Sequence, residues 1–150
     1  MSFKKIQAFL FIVVLILLDQ WTKFWARSFL AVEGPSTVIN QVLEFRYAEN
    51  TGVAFSMFDK YPFLLTVLIT LINLVILVIL LRKQKIEIFW IFIFAGAVSN
   101  LLDRYIFGFV TDFINPLFVN FAVFNVADVF LNIGLYIYLY FCFFVNSNKS

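Results

Sequence analysis

Long apolar blocks separated by short polar connections dominate the chain. Residues 62–81 form a run of twenty without one charged side chain, which is the length that an α-helix needs to cross about 30 Å of hydrocarbon. Residues 6–18, 88–102 and 117–145 form three further blocks. The pattern predicts an all-α membrane protein with four transmembrane helices, over about residues 6–28, 62–81, 86–107 and 119–145.

The composition agrees with a lipid environment. The 150 residues are 63% hydrophobic and only 13% charged, against about 25% charged residues in soluble domains. The first block follows Lys4 and Lys5 and precedes Ala26-Arg27-Ser28, an order that also occurs in signal peptides. Charged residues between the block and this small-residue site favour a retained span over a cleaved leader.

Lys and Arg are concentrated in some of the connections. They lie before the first span, between the second and third spans, and after the fourth, at Lys4, Lys5, Arg82, Lys83, Lys85 and Lys149. Because basic residues favour the cytoplasmic side, both termini are predicted to be cytoplasmic. The connections over residues 30–61 and 109–120 are then predicted to face outward.

The long outer connection, about residues 30–61, predicts a small β-like cap on the outer face. Residues 37–47 are rich in β-branched and aromatic side chains and follow the turn signal Gly34-Pro35. We expect the four spans and this cap to form one domain over residues 1–150.

The absence of several residue types excludes whole classes of chemistry. The chain has no His and one Cys, Cys142, which rules out an intrachain disulfide, a Cys/His zinc site and Ser-His or Cys-His catalysis. The net charge of +2 is too small for a nucleic-acid-binding face. Any catalysis must therefore depend on carboxylates.

Four carboxylates are predicted to lie at a similar depth. At about 1.5 Å per helical residue, Asp19 and Asp103 both lie about 20 Å from the inner surface. Asp112 follows the outer end of the third span, and Asp128 lies about seven residues into the fourth, if that span begins near Phe121. Ionisable groups in lipid usually face the bundle interior, where they are paired or functional.

Structural roles account for many of these polar residues. Asp19 and Lys23 have the i, i+4 spacing of an internal ion pair, and Gly96 allows another helix to approach closely. Two further sets each share a helix face and can form ion pairs or interhelical hydrogen bonds: Asn100, Asp103 and Arg104 in the third span, and Asn125, Asp128 and Asn132 in the fourth.

Asp112 and Asp128 suggest chemistry. Two carboxylates that share one proton can divide the work of an aspartic protease, one activating water while the other hydrogen-bonds the scissile carbonyl. The alternative is that Asp112 caps a helix end or lies in solvent. A small proton- or ion-coupled transporter, relaying charge through Asp19, Asp103 and Asp128, is the competing functional class, and a purely structural subunit is a third.

Five short segments occur in order along the chain: Asp19-Gln20-Trp21-Thr22-Lys23, Asn50-Thr51-Gly52-Val53-Ala54-Phe55, Gly96 with Asn100-Leu101-Leu102-Asp103-Arg104, Val110-Thr111-Asp112-Phe113-Ile114, and Phe124-Asn125-Val126-Ala127-Asp128. Together they resemble the motifs of the lipoprotein signal peptidase family, signal peptidase II. The resemblance implies a bacterial membrane aspartic endopeptidase that cleaves diacylglyceryl-modified prolipoproteins just before the lipidated Cys. It also implies the cytoplasmic (inner) membrane, with the active site near the outer face.

By the same resemblance, Asp112 and Asp128 are the catalytic dyad. Residues that shape the substrate pocket or hold the dyad are then Asp19, Lys23, Asn50, Gly52, Asn100, Arg104, Asn125 and Ala127. No metal or organic cofactor is implied. We expect a monomer in contact with membrane lipid that binds prolipoproteins and no nucleic acid. Departures from the family pattern are mild and concern close packing, at Val53, Ala95 and Ser99.

Overall fold

The computed structural model describes residues 2–52 and 61–145. Within these residues, four helices are long and apolar enough to cross a membrane. Their α-helical parts are α1 (Lys5–Trp25), α2 (Pro62–Arg82), α3 (Ile88–Phe107) and α4 (Val126–Tyr140), and the first and fourth spans extend through further helical turns to Glu33 and Phe144. A π-helical turn continues α1 at Ala26–Leu30 and another continues α4 at Phe141–Val145. The predicted architecture of four transmembrane helices is confirmed.

An antiparallel sheet lies at one end of the bundle. In the described part of the chain its strands are β2 (Ser36–Ile39), β3 (Leu43–Asn50) and β5 (Val110–Pro116), in the order β2-β3-β5. We call it the cap sheet. Its first two strands confirm the predicted β-like cap, whereas the third comes from the connection between α3 and α4, where the sequence predicts no strand. The rest of the predicted cap, residues 53–60, lies outside the described residues.

A second, smaller sheet lies at the opposite end of the bundle. Strand β1 (Ser2–Lys4) precedes α1 and pairs antiparallel with β4 (Lys85–Glu87), which joins α2 to α3. Phe3 lies opposite Ile86 in this pairing. The sheet therefore ties the start of the first span to the start of the third.

The fourth helix begins at Val126, later than the predicted start near residue 119. Asn125 caps it: the side-chain Oδ1 accepts from the Asp128 backbone N–H at 3.0 Å, and the Asp128 carboxylate accepts from the Asn125 N–H at 3.1 Å. This capping box satisfies two backbone donors at the helix start. Just before it, Phe124 pairs with Ile114 of β5. Asp128 consequently lies in the first turn of α4 rather than two turns inside it.

Close packing of α3 against α4 depends on two glycines. A Cβ atom on Gly96 would lie 2.5 Å from the carbonyl oxygen of Ala127, and one on Gly134 would lie 2.9 Å from that of Phe89. Neither position has room for a larger side chain, so the two helices are in backbone contact there, as predicted for Gly96. This contact brings the end of α3 beside the start of α4.

Candidate active site

The polar side chains predicted from the sequence meet beneath the cap sheet. The ends of α1, α3 and β3 converge there with the start of α4 and with β5. A continuous set of hydrogen bonds and one ion pair connects all ten predicted residues: Asp19, Lys23, Asn50, Gly52, Asn100, Arg104, Asp112, Asn125, Ala127 and Asp128. Residues from distant parts of the chain therefore form one site.

Asp112 lies in β5, where it pairs in register with Ala48 of β3. Its side chain accepts two hydrogen bonds, from Asn50 Nδ2 to Oδ2 at 2.9 Å and from Asn125 Nδ2 to Oδ1 at 2.6 Å. The residue is 2% exposed. It neither caps a helix nor lies in solvent, so that structural alternative is wrong.

Asp128 approaches the same point from the first turn of α4. Its Oδ1 accepts from Asn100 Nδ2 at 2.8 Å, and its Oδ2 accepts from the backbone N–H of Asn125 at 3.1 Å. Asn125 thus donates to both carboxylates, one through its side chain and the other through its backbone. The two carboxyl groups are held against a single residue.

The surroundings of Asp112 raise the pKa of its carboxyl group. Burial, and then the negative charge of Asp128, raises the pKa of Asp112 to about 7 from its ordinary value of 3.8. Hydrogen bonds from Asn50 and Asn125, and the charge of Lys23, oppose this rise. Near neutral pH the Asp112 carboxyl is therefore partly protonated, as a proton-sharing pair requires.

The amides that hold the two carboxylates are themselves oriented. Lys23 Nζ donates to Asn100 Oδ1 at 2.7 Å, which leaves the Asn100 Nδ2 group to donate to Asp128. The Oδ1 atom of Asn125 accepts from the Asp128 N–H, which leaves its Nδ2 group for Asp112. Each amide has its acceptor end engaged, so it presents donors to the carboxylates.

Asp19 and Lys23 form the predicted ion pair, with 2.8 Å between Nζ and Oδ2 and both side chains fully buried. Asp19 also accepts from the backbone N–H of Ala127 and from the Ser99 hydroxyl, each at 2.7 Å. The pair therefore joins α1 to α3 and α4, and it supplies the positive charge that orients Asn100.

The Arg104 side chain binds backbone carbonyl groups and not the Asp103 carboxylate on its own helix face. Its guanidinium donates to two backbone carbonyls, from Nη2 to Gly52 O at 2.6 Å and from Nη1 to Thr51 O at 3.3 Å. Gly52 in turn donates its N–H to Asn50 Oδ1 at 3.2 Å. Arg104 thus holds the turn that aims the Asn50 amide at Asp112.

Asp103 does not pair with Arg104 on the shared helix face. It accepts from Gln20 Nε2 at 3.0 Å and from the Thr111 N–H at 2.9 Å. Its Oδ2 also lies 3.6 Å from Lys23 Nζ and 3.6 Å from Arg27 Nη1. The Asp103 carboxylate is therefore bound to α1 and β5.

Several polar residues depart from the sequence predictions. Gln20, Ser99 and Thr111 join the network although no role is predicted for them. Ser99 shares a helix face with Gly96 and Asp103, which is the signal that could have identified it. Asn132, predicted to continue a polar stripe into the bundle, is exposed and donates to the backbone carbonyl of Asp128 at 2.8 Å.

Comparisons with known proteins agree on one family. The family model described as signal peptidase (SPase) II matches residues 11–144. The lipoprotein signal peptidase of Microcystis aeruginosa is 37% identical over 139 residues, covering 89% of this chain and 90% of that protein. The lipoprotein signal peptidase of Clostridioides difficile is 33% identical over 145 residues, covering 93% and 97%.

A solved structure has the same fold. It is a bacterial membrane enzyme with a TM-score of 0.84 and 25% sequence identity, covering 96% of this chain and 92% of that chain. The family match, the curated relatives and this fold cover nearly the whole chain, so the protein belongs to the signal peptidase II family of membrane aspartic peptidases.

Proposed function

We propose that Asp112 and Asp128 are the catalytic pair with which this membrane peptidase removes signal peptides from lipoprotein precursors. Family membership supplies the peptidase activity, and the comparisons give the transporter alternative no support. One observation carries the assignment of the pair: two buried carboxylates from different elements both accept hydrogen bonds from Asn125.

The chemistry requires one proton between the two carboxyl groups. The ionised carboxylate removes a proton from a water molecule as its oxygen adds to the scissile carbonyl carbon, while the protonated carboxyl donates its proton to the carbonyl oxygen. The resulting tetrahedral gem-diol collapses as the C–N bond breaks: the carboxyl group that took its proton from water donates that proton to the leaving nitrogen, and the other carboxylate takes a proton from a gem-diol hydroxyl, which restores the one shared proton. With a pKa of about 7, Asp112 can hold or release a proton near neutral pH.

The surrounding amides leave room for this reaction. Among the residues that the structure describes, each oxygen of Asp112 and Asp128 accepts one hydrogen bond, and a carboxylate oxygen has two lone pairs. A second lone pair on each oxygen therefore remains for water or substrate. Because the amide donors are fixed before substrate arrives, the carboxyl groups need no reorganisation during the reaction.

We further propose that the substrate is a diacylglyceryl-modified prolipoprotein that is cut just before its lipidated Cys. The acyl chains and the apolar signal peptide of such a substrate both lie in the membrane, so its scissile bond is confined near the membrane surface. The two carboxylates lie at the cap end of the spans, which is a suitable depth for that bond. Membrane lipid would be the enzyme's other neighbour, and no further subunit is needed.

Charge indicates the orientation in the membrane. Lys4, Arg82 and Lys85 lie at the end of the bundle that carries the β1–β4 sheet, away from the cap sheet. Since basic residues favour the cytoplasmic side, we assign this end and both termini to the cytoplasm. The active site then faces the outer surface of the bacterial cytoplasmic membrane, within a single domain over residues 1–150.

The activity is tested with purified protein in detergent and a diacylglyceryl-modified prolipoprotein. We expect mass spectrometry to find a product that begins at the lipidated Cys, and no product from the same precursor without its lipid. Cleavage of both precursors at similar rates would contradict the proposed substrate class. No cleavage of either precursor by well-folded protein would contradict the proposed function.

A further inference from the structure

Strand β5 is held at the residues on both sides of Asp112. Side chains alternate between the two faces of a strand, so Thr111 and Phe113 point away from the face that carries the Asp112 carboxyl. Phe113 packs edge-on against Trp25 and Phe45, with ring centroids 6.1 Å and 6.0 Å away. Thr111 is held by charged side chains.

Arg27 makes three contacts around Thr111. It lies in the π-helical turn after α1, and its Nη1 donates to Thr111 Oγ1 at 2.7 Å. The same nitrogen lies 3.6 Å from Asp103 Oδ2, and the guanidinium carbon lies 4.3 Å from the centre of the Phe107 ring. Asp103 Oδ2 accepts from the Thr111 backbone N–H at 2.9 Å. We call Arg27, Asp103 and Thr111 the Thr111 clamp.

Asp112 lies at the end of a regular stretch of the backbone ladder, in which Val110, Thr111 and Asp112 pair with Asn50, Glu49 and Ala48 of β3. Gly108, with a left-handed φ of 82°, ends the preceding helix only two residues before the strand. On the other side of Asp112, the pairing between β3 and β5 is irregular between the Phe45 and Ala48 positions. Irregular pairing of this kind disrupts the ladder locally, so the clamp adds a side-chain restraint beside the last regular pair.

We propose that Arg27 is a positioning residue for peptide hydrolysis, acting through the Thr111 hydroxyl to fix the segment of β5 that carries Asp112. The proposal rests on the assignment of Asp112 as catalytic. Arg27 does not touch the carboxyl of Asp112; it acts on the neighbouring residue from the opposite face of the strand.

Variants of Arg27 and Thr111, the two partners of the hydrogen bond in the Thr111 clamp, test the proposal. Because misplacement of a reacting group by about 1 Å can cost about 100-fold in rate, we expect Thr111→Val to lower kcat about 10- to 100-fold with little change in KM. Thr111→Ser keeps the hydroxyl and should retain nearly the parental kcat. Arg27→Met should resemble Thr111→Val, and the double variant should be little worse than either, since both remove one interaction.

The pH profile distinguishes positioning from a general loss of stability. Hydrogen bonds from Asn50 and Asn125 lower the pKa of Asp112, so a strand displaced from them should raise it further. The alkaline limb of kcat/KM should therefore move to higher pH in Thr111→Val. A variant that merely reduced the amount of folded enzyme would leave that limb unchanged.

Thr70→Val is the matched control. It makes the same change of atoms and removes a 2.8 Å hydrogen bond between the Thr70 and Tyr105 hydroxyls, which joins α2 to α3. We expect it to keep the parental kcat. A parental kcat in Thr111→Val, or a kcat for Thr111→Ser as low as that of Thr111→Val, would overturn the proposal.

Measuring Asp112→Asn in parallel separates the two proposals. If Asp112→Asn remains active, the catalytic assignment fails. If Asp112→Asn is inactive while Arg27→Met and Thr111→Val both cleave at the parental rate, only the clamp fails. Should Arg27→Met not fold, as judged by gel filtration, the Thr111→Val and Thr111→Ser pair decides the outcome.

Discussion

Lys23 is a fully buried cation on which both the stability and the geometry of the site depend. Its Nζ lies 2.8 Å from Asp19 Oδ2 and 2.7 Å from Asn100 Oδ1. Lys23→Met keeps the length of the side chain but leaves the buried Asp19 carboxylate without its cation. It also removes the Lys23 hydrogen bond to Asn100 Oδ1, an oxygen that accepts a second one from Asn125 Nδ2 at 3.1 Å.

The expected loss follows from burial. Removing one partner of a buried ion pair costs about 3–5 kcal/mol, because the other charge stays buried and uncompensated. The Asp19→Asn/Lys23→Met double variant removes both charges, and replacement of a whole buried pair is often neutral. We therefore expect the double variant to be more stable than Lys23→Met alone.

An exposed ion pair at the opposite end of the helix bundle provides a matched control. Lys83 and Glu87 have the same i, i+4 spacing and the same 2.8 Å separation as Lys23 and Asp19, but their side chains are 32% and 35% exposed. Exposed pairs contribute about 0–1 kcal/mol. Lys83→Met should therefore cost less than about 1 kcal/mol.

The free energy of unfolding can be measured by reversible SDS titration followed by tryptophan fluorescence. Equal losses in Lys23→Met and Lys83→Met would show that burial does not determine the contribution of the pair. A double variant as unstable as Lys23→Met would refute the explanation by an uncompensated carboxylate. In the activity assay, Lys23→Met should also lower kcat, because Asn100 Oδ1 then keeps the 3.1 Å hydrogen bond from Asn125 Nδ2 but loses the 2.7 Å one from Lys23, and the Asn100 amide positions Asp128 less firmly.

Four further predictions concern the site and its orientation. Asp112→Asn and Asp128→Asn should each fold yet lose turnover almost completely, and the double variant should be hardly worse, since the proposed catalytic pair would act as one unit. Because the pKa of Asp112 is raised to about 7, the shared proton is lost above that pH, and kcat/KM should fall about tenfold per pH unit there. Arg104→Ala should lower thermal stability in detergent, because it leaves the buried Gly52 carbonyl and the partly buried Thr51 carbonyl without this donor; a variant as heat-stable as the parent would contradict that role. An impermeant thiol reagent added outside spheroplasts should label Ser36→Cys and not Gln84→Cys, and the reverse pattern would overturn the orientation.

Features that depend on neighbouring residues were predictable from the sequence. Twenty uncharged residues are long enough to span a bilayer whatever their tertiary contacts, so α2 could be placed without a structure. The i, i+4 spacing of Asp19 and Lys23 puts them on one helix face, and the glycine at position 96 permits a close helix contact. The catalytic candidates were predicted from two carboxylates at one depth and from the motifs that contain them.

Features that depend on distant residues were decided by the tertiary structure. The start of α4 at Val126 depends on the capping box and on pairing with β5, whereas hydrophobicity alone extends the span back to residue 119. The partners of Arg104 are backbone carbonyls 52 and 53 residues away, and backbone groups carry no signal in the sequence. The Thr111 clamp likewise requires β5 to lie against α1. Periodicity and spacing indicate which face of a helix or strand is buried. The residues that this face contacts are determined only when the elements pack together.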